Sequence, residues 1–191
     1  MRTVKEPDVR KQEILDGAIK VFARKGYDKT TITDIAKELN ISQGLCYRYY
    51  PSKEDIYDAA LEKYADLIIR ENLKKISLEM SVRELIDSIT SRMDNMKDAE
   101  KEDIGLYKLF HSESSRKMHD ELFLRVAKKN IPITQAHLRK AKEKGELKIE
   151  DTDSAAIIGI YGWVGLYLSD GMTDEERSEK MRMAWYKLLE L

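Results

Sequence analysis

The side chains best equipped for chemistry stand together between Ser42 and Pro51, in the run Ser-Gln-Gly-Leu-Cys-Tyr-Arg-Tyr-Tyr-Pro. Gln43 carries a hydrogen-bond donor and an acceptor side by side, the pair that matches the adenine edge in the DNA major groove. Arg48 suits guanine or a phosphate. Tyr49 can donate its hydroxyl to a phosphate, and Tyr47 can pack on a thymine methyl or a sugar. Leu45 is a further thymine contact if it points outward and a core residue if it does not. Gly44 stands inside a short helix, where Gly costs about 1 kcal/mol relative to Ala; a groove edge approaching the backbone gives it a purpose. Thr31, Thr33, Ser42 and Lys53 lie at or just inside helix starts, where free N–H groups favour phosphate. Thr31 and Ser42 also suit plain helix capping. Tyr50 and Cys46 are expected in a core.

These residues need short helices to aim them. Ile32, Ile35, Ala36 and Leu39 make an apolar stripe at helical spacing, and Asn40, Ile41 and Ser42 break it. Thr31 with Asp34 fits a capping box, Ser42 suits an N-cap, and Ser52 with Asp55 fits another box. A first helix is predicted over residues 9–24, ended by Gly26 in a left-handed C-cap. A longer fourth helix carries Ile56, Ala59, Ala60, Lys63, Tyr64, Leu67 and Ile68. Helix, tight turn, helix is the geometry that sets one helix in a major groove.

The rest of the chain also reads as helical. Ser81 with Glu84 opens one helix, and residues 104–111, 122–127 and 131–144 form separate further pieces. Residues 155–169 are apolar all round and so are predicted to be buried, and residues 173–189 are amphipathic. His137 reads as a surface residue of its helix.

The 191 residues are 42% hydrophobic and 36% charged, with one cysteine, which leaves no internal disulfide. Net charge is −1, yet residues 1–53 hold 11 Lys and Arg against 7 Asp and Glu. A basic end on an acidic body suits an approach to phosphates by one face. The N-terminus has no apolar signal region, and no run is long enough to span a bilayer. A cytoplasmic location with no membrane partner is expected.

Gly26-Tyr27, Thr30-Thr31-Ile32, Ile35-Ala36 and Ile41-Ser42-Gln43-Gly44, with Tyr47, Tyr49-Tyr50 and Ser52-Lys53-Glu54, resemble the N-terminal domain of tetracycline-repressor-type (TetR) regulators. The match covers roughly residues 9–62. It implies an all-α protein: a helix-turn-helix DNA-binding domain over residues 1–52 and a helical ligand-binding and dimerisation domain over residues 53–191, connected by a helix over residues 53–75. It also implies a homodimer on double-stranded DNA. The expected function is a ligand-responsive repressor on a palindromic operator. The alternative is a related DNA-binding protein without an inducer, acting constitutively or through a protein partner.

Gly159, Gly162 and Gly165, with Met181, Trp185 and Leu188 on the final helix, are expected at a four-helix dimer interface. Tyr64, Met93, Met96, Tyr107, Phe110, His111, Phe123, Trp163 and Tyr167 are the candidate pocket for a small apolar or aromatic effector, with ordinary core as their other reading. No Gly-rich phosphate loop, nucleophile elbow or zinc-protease motif is present. No enzyme activity, cofactor or metal is expected.

Overall fold

The computed structural model describes residues 6–90, 105, 106, 109 and 116–191. Eight helices and no strand occur among them: α1 (Pro7–Lys25), α2 (Ile32–Glu38), α3 (Gln43–Tyr49), α4 (Lys53–Leu73), α5 (Val82–Thr90), α6 (Arg116–Glu143), α7 (Thr152–Leu168) and α8 (Asp174–Leu188). The all-α expectation holds. The chain divides into two compact units, residues 1–64 with 103–119 and residues 65–102 with 120–191, so the boundary falls inside α4 and again near the start of α6.

In the first unit, α1 buries Ile14, Ala18, Ile19, Val21 and Phe22 along one stripe. Pro7 opens it where a missing N–H costs nothing. Gly26 closes it at φ 82°, donating its N–H to the Phe22 carbonyl, a backbone angle that a side chain would resist. The α2–α3 turn passes through Asn40 at φ 51°. Leu39 just before it fills a socket on α1: a Cβ at Gly17 would lie 2.6 Å from Leu39 Cδ2. Ion pairs Lys25–Asp34 and Arg24–Glu38 brace the same two helices. The start of α4 packs into this unit through buried Ile56, Ala60, Leu61 and Tyr64, and Lys63 reaches Asp16 on α1 at 2.8 Å. The head therefore extends past residue 52, because a helix buried along one face cannot be divided at its cap.

In the second unit, α5, α6, α7 and α8 bury Leu85, Ile86, Phe123, Leu138, Ile160, Val164, Met181 and Trp185 around one core. Gly159 is the closest approach. A Cβ there would fall 2.2 Å from Trp185 Cη2, so the indole occupies the space that a side chain would need.

Three expectations are corrected here. The pieces at 122–127 and 131–144 are one 28-residue helix that continues through Pro132. Proline removes one helical hydrogen bond, but Pro132 and Lys128 are both exposed, so water can take the freed carbonyl of Lys128. α7 is not buried all round: Ile157, Ile158 and Tyr161 are exposed, Ile158 to 59%. His137 is buried, not on the surface. Its Nε2 lies 3.0 Å from the Met80 carbonyl, to which it donates, and its Nδ1 has no hydrogen-bond partner among the described residues.

Glu79 ties the segment before α5 to the C-terminal end of α6 through Lys140 and, at 3.0 Å, Lys144. The two ammonium groups lower its carboxyl from 4.5 to about 2. A depressed carboxylate stabilises the fold above its ordinary value and loses that contribution as pH falls through the folded one. Glu79→Gln is therefore expected to lower the melting temperature at pH 7, with the gap to wild type closing between about pH 4.5 and 2. Added salt should narrow it at pH 7, because Glu79 is 71% exposed.

Candidate nucleic-acid interface

Seven residues give α3 barely two turns, too few for a helix to persist alone. Its ends and inner face are therefore tied down. Ser42 Oγ accepts from the Leu45 N–H at 3.2 Å. Cys46 is fully buried, and Tyr50, also buried, donates its hydroxyl to the Lys11 carbonyl. With Cys46 inward, Gln43, Gly44, Tyr47 and Arg48 form the outer face, all four exposed. Leu45 and Tyr49 flank it, half-buried. Among the described residues no heavy atom lies within 4 Å of a Cβ built on Gly44. The fold itself thus gives no steric reason for that glycine.

Two of the donors assigned to phosphate are already engaged. Thr31 Oγ1 accepts from the Asp34 N–H at 3.2 Å and donates to Asp34 Oδ2 at 2.8 Å, while the Thr31 N–H donates to the same carboxylate at 2.9 Å. This closed capping box spends the hydroxyl proton. Asp34 is held well below the usual carboxylate range by Lys25 first, then by the Thr31 backbone and hydroxyl. Lys53 Nζ donates to the Tyr27 carbonyl at 3.0 Å and lies 4.2 Å from the centre of the Tyr27 ring. Two of its three N–H bonds stay available. Tyr27 in turn donates to Glu54 at 3.3 Å and stacks obliquely on Tyr57 and Phe22. Burial and then the Glu54 carboxylate push its phenol up to about 12. Tyr27 was visible in the sequence only as part of the Gly26-Tyr27 pair. Its role as a platform for Lys53 depends on a contact 26 residues away. Thr33 sits beside the outer face of α3, where it accepts from Gln43 Nε2 at 2.7 Å.

The second unit contains a cavity of about 60 Å³. Apolar side chains dominate its wall, among them Ile68, Leu85, Ile89, Leu122, Phe123, Val126 and Trp163. Glu71, Asn72, Asn130 and Thr134 are the polar members. Of the expected pocket residues, Phe123 and Trp163 line this cavity. Tyr167 is not among the lining residues but stacks on Phe123, with ring centres 3.9 Å apart. Tyr64 belongs instead to the core of the first unit. Met93, Met96, Tyr107, Phe110 and His111 lie outside the described residues. The amides and Thr134 were missed because each stands singly in an otherwise ordinary helix pattern.

The six residues expected at a dimer interface separate. Gly159, Met181 and Trp185 are buried within the chain, in the contact between α7 and α8. Their packing is already complete, so their side chains cannot form an outer face. Gly162 and Gly165 are exposed, with nothing within 4 Å of an added Cβ among the described residues, and Leu188 is half-buried.

A three-helix head that presents one face of a capped, partly exposed helix defines a helix-turn-helix regulator. Residues 14–60 match the family described as bacterial regulatory proteins, tetR family. LuxR of Vibrio harveyi, an HTH-type transcriptional regulator, is 30% identical over 149 residues, covering 76% of this chain and 71% of LuxR. The IcaR negative transcriptional regulator of the biofilm operon icaADBC in Staphylococcus epidermidis is 37% identical over 73 residues. That match spans 36% of this chain and only 40% of IcaR. Two solved structures share the fold across nearly the whole chain. A transcriptional regulator from Cytophaga hutchinsonii has a TM-score of 0.61 at 18% identity, covering 94% of this chain and 96% of its own. Salmonella enterica GusR has 0.59 at 20%, covering 98% and 99%. The chain belongs to the tetR family of bacterial regulatory proteins.

Thr31→Ala removes a cap and no free donor. It is expected to destabilise the head by about 1 kcal/mol, read in a thermal melt, and to leave the salt dependence of DNA binding unchanged.

Proposed function

We propose that this chain is a dimeric, ligand-responsive repressor that reads a palindromic operator with α3. The observation that carries this reading is the outer face of α3. Gln43, Gly44, Tyr47 and Arg48 are exposed together on a helix whose other side is fixed, and Gly44 is open to an approaching surface. The basic balance of residues 1–53 favours the same partner. Lys53, turned onto Tyr27, keeps two donors for a phosphate. The negative sign of regulation follows IcaR, which is named as a negative regulator.

Dimerisation is supported by α7. Ile157, Ile158, Tyr161, Gly162 and Gly165 share its exposed face. An apolar stripe with two bare backbone positions suits the close approach of the same helix from a second copy. A two-fold axis then sets two heads on half-sites of opposite sense. The cavity supports ligand response over the inducer-free alternative, for which a solid body core would be expected. Its wall suits an apolar or aromatic molecule with few hydrogen bonds. α4 carries Lys53 at its first turn and Ile68, Glu71 and Asn72 on the cavity wall, so a ligand acting on α4 reaches both functions.

DNA selected from a random pool by the full chain is expected to contain an inverted repeat, with half-sites about 10 bp apart or a multiple of that. Gly44→Ala should bind that sequence more weakly in fluorescence anisotropy while raising head stability by up to about 1 kcal/mol; unchanged or tighter binding would count against α3 in the groove. Gly162→Leu has room within the chain. It should nevertheless shift sedimentation toward monomer, and wild-type dimer strength would remove α7 from the interface.

A further inference from the structure

We infer that Thr33 is a specificity-determining positioning residue, whose hydroxyl holds the Gln43 carboxamide in the orientation that reads a base. The inference rests on the reading of α3 as the groove helix. Gln43 Nε2 donates to Thr33 Oγ1 at 2.7 Å, a contact between α3 and α2 ten residues apart. A primary amide has two N–H bonds and one carbonyl oxygen. With one N–H spent on Thr33, the second N–H and Oε1 remain for a base edge. They are the donor and acceptor pair that adenine N7 and its N6 amino group require. The anchor leaves that pair free.

The anchor is also rigid. Thr33 follows buried Ile32 and precedes buried Ile35 on α2. α2 is capped by Thr31 and Asp34 at one end and seated by Leu39 against Gly17 at the other. The Thr side chain is stiff at χ1. Gln43 by contrast is exposed, on a long side chain with several rotamers. Ordering such a side chain only on binding weakens the contact by about two- to tenfold. Thr33 supplies that ordering beforehand. A direct phosphate contact by Thr33 predicts a different signature. It would weaken every sequence alike and reduce the salt slope by about one.

The two are separated with the full chain and its selected DNA. Affinities are measured over a range of salt for that sequence and for versions with each A·T pair replaced. The proteins are wild type, Thr33→Val, Thr33→Ser, Gln43→Ala and the Thr33→Val/Gln43→Ala double variant, with thermal melts to check folding. Thr33→Val should cut discrimination about two- to tenfold at the same base pair that Gln43→Ala affects, with no change in salt slope. Thr33→Ser, which keeps the hydroxyl, should restore it. Adding Thr33→Val to Gln43→Ala should change nothing further. Equal weakening of all sequences with a smaller salt slope, or additive effects of the two substitutions, would overturn the proposal. So would a Gln43→Ala protein that keeps full discrimination, in which case DNA binding itself stands. A wild-type chain that selects no DNA would instead overturn the proposed function.

Discussion

A helix of seven residues does not hold its own direction, and the head is organised around supplying that direction to α3. Three constraints meet on it. Ser42 caps its first turn, Cys46 and Tyr50 bury its inner side, and the α2–α3 turn is seated on α1 by Leu39 against Gly17. Were Gly17 any larger residue, the Leu39 side chain would have to shift, because a Cβ there would lie 2.6 Å from its Cδ2 and 2.8 Å from its Cγ. The ion pairs between α1 and α2 are partly exposed and contribute little by comparison. Packing, not charge, aims the outer face of α3.

The same distinction between occupied and open space divides the glycines of α7. Gly159, Gly162 and Gly165 are spaced alike in sequence, but only Gly159 has a neighbour to make room for, the Trp185 indole. The others face outward beside Ile157, Ile158 and Tyr161. One helix therefore serves two contacts, one inside the chain and one available to a second copy. A stripe of small residues cannot reveal that division, because which side is inward depends on where α8 lies.

Much of the head was legible because its signals are local. In the head the capping box of Thr31 and Asp34, the Ser42 cap and the positive-φ C-cap at Gly26, and in the second unit the box of Ser81 and Glu84, each need only a few consecutive residues, and the structure contains all of them. What was not legible depends on distance. Lys53 resting on Tyr27, Gln43 anchored on Thr33 and His137 buried against Met80 join residues 26, 10 and 57 apart. α6 defeated a local rule in the other direction. Pro132 lies inside it, yet a helix whose opposite face is buried in a core survives the loss of one exposed hydrogen bond. The polar residues of the cavity were hidden for a related reason, since Asn72, Asn130 and Thr134 become a group only when α4 and α6 line one space.

In the proposed switch, α4 is the element through which a ligand would act. A ligand shifts an equilibrium between two states only by its difference in affinity for them, and coupling of about 1–3 kcal/mol is typical of such systems. α4 needs no relay of side chains to participate in both ends of the proposed switch. Lys53 at its start and Ile68, Glu71 and Asn72 further along belong to one continuous helix. Tyr27 meets the start of α4 at both Lys53 and Glu54, and Lys63 reaches Asp16 further along the same helix. A face packed by Ile56, Ala60 and Leu61 resists continuous deformation. In the proposed switch, a ligand that shifts α4 has to overcome that packing and those contacts.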